Sequence, residues 1–383
     1  MTDQEQIKAE FALRKPLLPP CFLHWTEAAN GHEDETLRFV SWRRNLTLQG
    51  QSFREFEEVV VPLLNGQLDI DAICDKAGNL FSRTDLLASL NTLVQQGILV
   101  EGDGVPTEPG AIDRTPQLGW LSETAHEGMA AQKRLEAAHV VVFGAGMHGA
   151  VAARALVAAG IGQLTVVDPN EVAASDLYFS GLFQKSDLGK NRAAALAAAL
   201  HAADGATQVT HYDVRPADPN AVMPLISGAH LALCCVESGE QATALYLNMA
   251  CKAANLAWIA ASLEGTNIVV GPGFFRHDTG PCYMCWRLRE MSAAQNQFAY
   301  GSIEAYLGNL HKDLSGKREN PAASADIAGG MLAAEALSWL SATSLPSLDG
   351  SFIQITIPGL HMEKHTVLRK PGCPACAAAQ AAE

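Results

Sequence analysis

Four cysteines and one glycine-rich turn hold most of the chemistry this sequence can offer. Cys282-Tyr-Met-Cys285 and Cys373-Pro-Ala-Cys376 are two C-x-x-C pairs, each led in by turn residues, Thr279-Gly-Pro and Lys370-Pro-Gly. Thiolates spaced this way suit a tetrahedral structural zinc ion, and a closed four-sulfur shell leaves no position for catalysis. The rival is a redox disulfide, but that motif ordinarily stands singly at a helix start after a strand. Gly144-Ala-Gly-Met-His-Gly149 is the second feature. Glycines at 144, 146 and 149 let the backbone turn tightly and approach a phosphate at a helix N-terminus. An acid about 20 residues on, here Asp168, can hold a ribose hydroxyl. The bland alternative is tight helix–strand packing with nothing bound.

These residues need elements to carry them. His139-Val-Val-Val-Phe143 reads as the strand entering the glycine turn, Ala150 to Ala159 as the following helix, and Leu164-Thr-Val-Val-Asp168 as the next strand. Beyond Arg192, Ala-rich helices alternate with strands at Gln208–Tyr212, Leu231–Cys235, Trp258–Ala261 and Thr266–Val270. That alternation predicts a mainly parallel sheet with helices on both faces. Residues 291–325 read as a long crossover, and Ala323 to Leu340 as a helix whose small residues suit close packing.

Residues 1–104 read as a separate winged-helix-like α+β domain. Leu37–Trp42 and Asn45–Leu48 are predicted strands, and Ser52 and Ser82 are predicted helix caps. Helices are expected to Leu64, over Ile70–Ala77 and from Arg83 to Gln95, with a closing strand at Ile98–Val100. Residues 105–118 read as a linker, a helix follows from Ser122 to Ala138, and 119–383 form the larger domain.

The chain has 383 residues, 48% of them hydrophobic and 18% charged, an ordinary globular composition. A formal net charge of −14 argues against nucleic acid as a partner, even for a winged-helix-like domain. No apolar run is long enough to span a bilayer, and no signal peptide is visible, so a cytoplasmic location is expected. Nine cysteines in that setting are not a disulfide framework; Cys21, Cys74, Cys234, Cys235 and Cys251 are expected in the core.

From about Glu127 to Cys376 the chain resembles the ThiF-type, ubiquitin-activating-like adenylyltransferase superfamily. The resemblance rests on Gln132-Lys-Arg-Leu135, the glycine turn, Val166-Val-Asp168 and Asp168-Pro-Asn-Glu-Val172. Ser175-Asp-Leu177, Asp187-Leu-Gly189 and the two cysteine pairs complete it. It implies a Rossmann-like, doubly wound α/β fold with a zinc knuckle and an ATP/Mg site at Gly144, Gly146, Gly149, Asp168, Arg192 and Glu237. The chain departs from the pattern of active members. Asn170 stands for an acid, Asp176 for asparagine, Phe179-Ser180 for a phosphate-clamping arginine, Arg192 for lysine and Glu237 for aspartate. Adenylation sets a carboxylate against a phosphate and needs oriented cations, each worth about 10²–10³ in rate. Efficient adenylation is therefore not expected, although Arg192 and Glu237 preserve charge.

A winged-helix-like domain ahead of such a degenerate domain resembles the precursor-peptide-binding partner of YcaO cyclodehydratases in azoline-containing ribosomal peptide biosynthesis. That resemblance implies no catalytic residues in this chain. It implies a leader peptide added as a strand beside Leu37, Arg38, Phe39 and Val40. The peptide would pack on the helix carrying Arg83, Leu87, Leu90, Asn91 and Val94. The ThiF-type resemblance implies a homodimer. The alternative is an ATP-dependent enzyme that adenylates a peptide carboxylate or amide. His148 is expected to face solvent in the turn, and His361 and His365 to be surface positions.

Overall fold

The computed structural model describes residues 11–28, 34–102, 113–124, 128–179, 181–237, 240–293 and 320–376. Contacts divide the chain into Met1–Lys133 and Arg134–Glu383. Most of the expected linker (105–112), Ser180 and most of the expected crossover (294–319) lie outside the described residues.

In the first unit, β1 (Pro16–Leu17) pairs with β5 (Val100–Glu101), while β2 (Leu23–Ala28), β3 (Glu35–Val40) and β4 (Asn45–Gly50) form an antiparallel sheet in the order β2-β3-β4. One face is dry: Leu37 and Phe39 of β3 join Phe56, Val60, Ile73, Leu86, Leu90 and Leu93 in a single core. Helices α1 (Ile70–Ala77) and α2 (Arg83–Gln95) cover it, and Ser82 caps α2 by accepting from Asp85 N at 3.1 Å. Ser52 does not cap. It sits at φ 63° without a side-chain cap bond, and the helix after it runs in short α, π and 3-10 pieces to Leu63. The helix expected from Ser122 is instead α3 (Thr115–Thr124) followed by α4 (Gly128–Glu136), so the end of the expected linker is helical.

β1, β2 and two strands of the second unit, Ser351–Thr356 and His361–Thr366, are strands that the sequence did not predict, and β2 matters most. Its residues, Leu-His-Trp-Thr-Glu-Ala, are almost all exposed and lack an apolar alternation. The strand changes the geometry decisively, because it makes β3 internal, paired with β2 on one side and β4 on the other.

In the second unit, β6 (His139–Phe143), α5 (Met147–Ala158), β7 (Gln163–Val167), α6 (Arg192–Ala203) and β8 (Gln208–Tyr212) form one parallel half. β9 (Leu231–Cys234), α7 (Gln241–Ala254) and β10 (Trp258–Glu264) form the other. The sheet continues antiparallel through β11 (Asn267–Phe274); α8 (Tyr283–Ala293) and α9 (Ala322–Leu340) then precede its last strands, β12 (Ser351–Thr356) and β13 (His361–Thr366). The order is β13-β12-β11-β10-β9-β6-β7-β8. The chain moves outward one way from β6 and the other way from β9, so the crevice of this α/β sheet opens at their carboxyl ends. α9 packs closely on α5: a Cβ at Gly329 would lie 2.6 Å from the Val151 side chain.

Candidate functional site: a charged crevice and a four-thiol cluster

Gly144 follows β6 at φ 95°, and a side chain there would strike the Cys235 carbonyl. A Cβ at Gly149 would collide with the Gly144 carbonyl and lie 3.0 Å from Cys235 Cβ. These two glycines are required for the turn to close against β9. Gly146 differs. A Cβ there would overlap the Glu237 carboxylate and come within 3.1 Å of Arg192 Nη1. An acid and a guanidinium, both from this chain, therefore fill the space above the middle of the turn.

Asp168, at the end of β7, is 2% exposed and accepts from Ala145 N at 2.7 Å and Asn170 N at 2.8 Å. It is thus spent on holding the loop to the glycine turn. Asp176 accepts from Ala173 N at 2.8 Å. Arg192 is the first residue of α6 and is fully buried. Its Nε donates to Asp176 Oδ2 at 3.1 Å, and its Nη1 reaches Asp168 Oδ2 at 3.4 Å and Glu237 Oε1 at 3.3 Å. Three departures from the adenylyltransferase pattern, Asp176, Arg192 and Glu237, therefore meet in one buried cluster. Each makes sense through the others. Arginine reaches and forks where lysine would not, Asp176 supplies a charge where asparagine has none, and Glu237 is one carbon longer than aspartate.

A second pair lies beside it, which the sequence did not single out: Arg215 Nη2 meets Glu240 Oε1 at 2.9 Å and Asn170 Oδ1 at 3.3 Å. Burial raises the Glu240 pKa above the usual carboxylate value, with Arg215 opposing the shift. Lys190 turns outward to Asp187 Oδ1 at 2.9 Å, its side chain exposed. Phe179 is buried and stands edge-on to Tyr178. Among the described residues, then, the crevice brings four carboxylates to two arginines, and both arginines are engaged. A triphosphate adds negative charge and needs unspent cations. The arrangement does not fit it. The glycine turn and Asp168 lie together, and Arg192 is a buried ion-pair partner.

His148 corrects another expectation: it is 1% exposed, lies within α5, and its Nε2 bonds to Ala261 O at 3.1 Å. His361 and His365 are partly exposed and pair with Glu363. Cys234, Cys235 and Cys251 are buried, Cys21 and Cys74 half-buried.

Cys282, Cys285, Cys373 and Cys376 converge, with their sulfurs within 4.8 Å of one another and all four residues buried. Sγ–Sγ separations are 3.8 Å for 282–285, 3.7 Å for 282–373 and 3.4 Å for 285–376. They are too long for disulfides. A tetrahedron with zinc–sulfur bonds of about 2.3 Å has edges of about 3.8 Å, so the thiols fit such an ion. Lys370 N points at Cys285 Sγ at 3.3 Å, and Arg369 and Lys252 bond the Cys376 and Ala375 carbonyls.

The peptide-recognition residues are not one surface. Leu37, Phe39 and Leu90 are wholly buried and Leu87 nearly so, while Arg83 is paired with Asp71. With both sides of β3 taken, no peptide can add beside Leu37–Val40, and that expectation is corrected. Among the described residues the sheet's edges are β2 and β4, and β4 is the one beside α2. Ser41 N donates to Arg44 O at 2.8 Å at the β3–β4 turn. With Arg38 opposite Thr47, antiparallel alternation then aims the backbone N–H and C=O groups of Asn45, Thr47 and Gln49 away from β3. Arg44 bonds Gly97 O, bringing the start of β4 to the end of α2, where Asn91 and Val94 are half-buried.

With this geometry in hand, comparison with known proteins is decisive for the family. The ThiF family matches residues 117–375. The chain belongs to the ThiF family. A sulfur carrier protein adenylyltransferase of Thermus thermophilus is 29% identical over 69% of this chain and 90% of its own length. The mouse adenylyltransferase and sulfurtransferase MOCS3 is 34% identical over 41% of this chain; the match spans 33% of that protein's length. Among solved structures, Escherichia coli MccB with ATP has a TM-score of 0.62 at 17% identity, covering 94% of this chain and 99% of that one. PaaA has a TM-score of 0.58 at 18% identity, covering 74% and 92%. Both of these curated relatives are named as adenylyltransferases, and the fold is that of MccB.

Proposed function

We propose that this ThiF-family protein binds the leader of a ribosomally made precursor peptide and presents its core to a YcaO-type, ATP-dependent cyclodehydratase for azoline formation. The observation that carries the reading is the outward edge of β4 at Asn45, Thr47 and Gln49, with the half-buried Asn91 and Val94 of α2 available as a second wall. An extended peptide would gain backbone hydrogen bonds from the edge and specificity from alternate side chains. MccB, with the same fold over nearly the whole chain, has been solved with the peptide MccA. The occupied crevice supports assigning ATP chemistry to the partner. Tethering the leader then raises the effective concentration of the core at that partner. In this reading the protein acts in the cytoplasm as a homodimer, and the four thiols hold a structural zinc ion.

The test is fluorescence anisotropy of full-length protein with the labelled leader of any Cys/Ser/Thr-rich precursor peptide found encoded beside its gene. Thr47→Pro removes an outward N–H without breaking a backbone bond to β3, losing there only the exposed Arg38 Nη1–Thr47 Oγ1 contact, so it should weaken binding about 10-fold or more, roughly the worth of one or two hydrogen bonds. Its melting temperature should hardly change. Unaltered affinity in Thr47→Pro would remove β4 from the reading, and no leader binding at all would end it. The retained glycine turn and Asp168, and relatives that are adenylyltransferases, favour a second reading: ATP-dependent adenylation of a peptide. Peptide-dependent ATP–pyrophosphate exchange, abolished by Asp168→Ala, would establish it instead.

A further inference from the structure

We infer that Arg192 is the resident cation of the crevice and that, with Asp176 and Glu237, it closes the glycine turn to nucleotide phosphates. The inference deepens the scaffold reading and rests on it. Three carboxylates from separate segments, the end of β7, the loop after it and the end of β9, converge on one guanidinium at 3.1–3.4 Å. Left alone they would repel one another in a buried place, and a bound cation would be needed to gather them. Here a side chain of the fold does this permanently. Arg192 opens α6, whose cap Asn191 also bonds the Asp168 carbonyl at 3.0 Å. The backbone that carries the cation is therefore anchored by a helix, and its guanidinium is held by the three acids.

Closure has a charge part and a steric part. The guanidinium is shared among three acids, so a phosphate arriving at the turn meets a net negative cluster. Glu237 lies so close to Gly146 that even a methyl group would overlap it. A phosphate oxygen seated over Gly146 would have to displace that carboxylate from its ion pair with Arg192.

The test uses full-length protein and MgATP, followed by isothermal titration and with a fluorescent ATP analogue. Wild type should show no saturable binding up to about 1 mM, the weak end of specific affinity. The triple variant Asp176→Asn, Arg192→Lys, Glu237→Asp frees the cation from one acid, shortens it and withdraws the carboxylate from Gly146. It should gain saturable binding. Wild-type binding of MgATP in the micromolar range would overturn the inference, whether or not the variant folds. So would a folded triple variant that binds no better than wild type. The two readings fail separately: protein that binds leader and MgATP sinks only this inference, and protein that binds neither sinks only the scaffold reading.

Discussion

Replacing Arg192 by methionine tests the buried cluster most directly. Methionine keeps most of the side chain's bulk and removes its charge, leaving Asp168, Asp176 and Glu237 facing one another. Each carboxylate lies 3.1–3.4 Å from a guanidinium nitrogen. At that distance the gross attraction of one pair is about 5 kcal/mol at an effective dielectric of about 20. Most of that repays the cost of taking the ions from water, so the whole cluster adds little net stability. Breaking it is another matter, because the desolvated acids remain; removing one partner of a buried pair costs about 3–5 kcal/mol. A body the size of Arg134–Glu383 melts about 2–4 °C lower per kcal/mol lost. Arg192→Met should therefore lower the melting temperature by about 6–20 °C, measured by calorimetry and checked by urea unfolding. Lys190→Met is the control: its exposed amine holds only Asp187 among the contacts described, and the loss should stay within about 0.5 kcal/mol. If both variants melt within about 2 °C of wild type, the cluster does not bind the loop, the helix and β9 together, and the reasoning fails.

Three further outcomes are expected. Cys373→Ser should lose bound zinc, seen by elemental analysis, and melt below wild type, since the ion joins segments 91 residues apart; unchanged stability with no metal in either protein would remove zinc from the site. Because burial raises the folded pKa of Glu240, its contribution is fully present below the unfolded carboxylate value and is lost as pH rises through the folded one. Glu240→Gln should therefore gain on wild type with rising pH across that window, in melting curves taken in steps; a constant difference refutes the shift. Asp176→Asn should destabilise less than Arg192→Met, because Asp168 and Glu237 still hold the guanidinium, and the double variant should not be additive. Additive losses would show that the two residues do not meet.

Much of the crevice was legible in the residues. The glycine turn, the strand before it and Asp168 form a continuous local pattern, and local patterns follow from backbone sterics and side-chain periodicity. The same holds for the cysteine pairs, whose turn residues set each knuckle. Their mutual approach was implied only because four ligands complete a shell and two do not. His148 was misread because a polar residue in a glycine turn gives no sign of which side of the helix it will take. It became buried where α5 packs on the sheet, its ring reaching the Ala261 carbonyl of β10.

By itself, the sequence determined the doubly wound order of elements, the turn that must approach a neighbouring strand, and the four thiols that can share an ion. Tertiary structure alone decided what the charges do. Asp176, Arg192 and Glu237 read singly as losses from a nucleotide site. Only the approach of three segments turns them into one buried network, because electrostatic partnership depends on distance in space and on exclusion of water. The same is true of the sheet edge: β2, almost fully exposed and without an apolar period, left no trace in the pattern, yet its pairing closes β3 and moves the edges to β2 and β4, of which β4 lies beside α2.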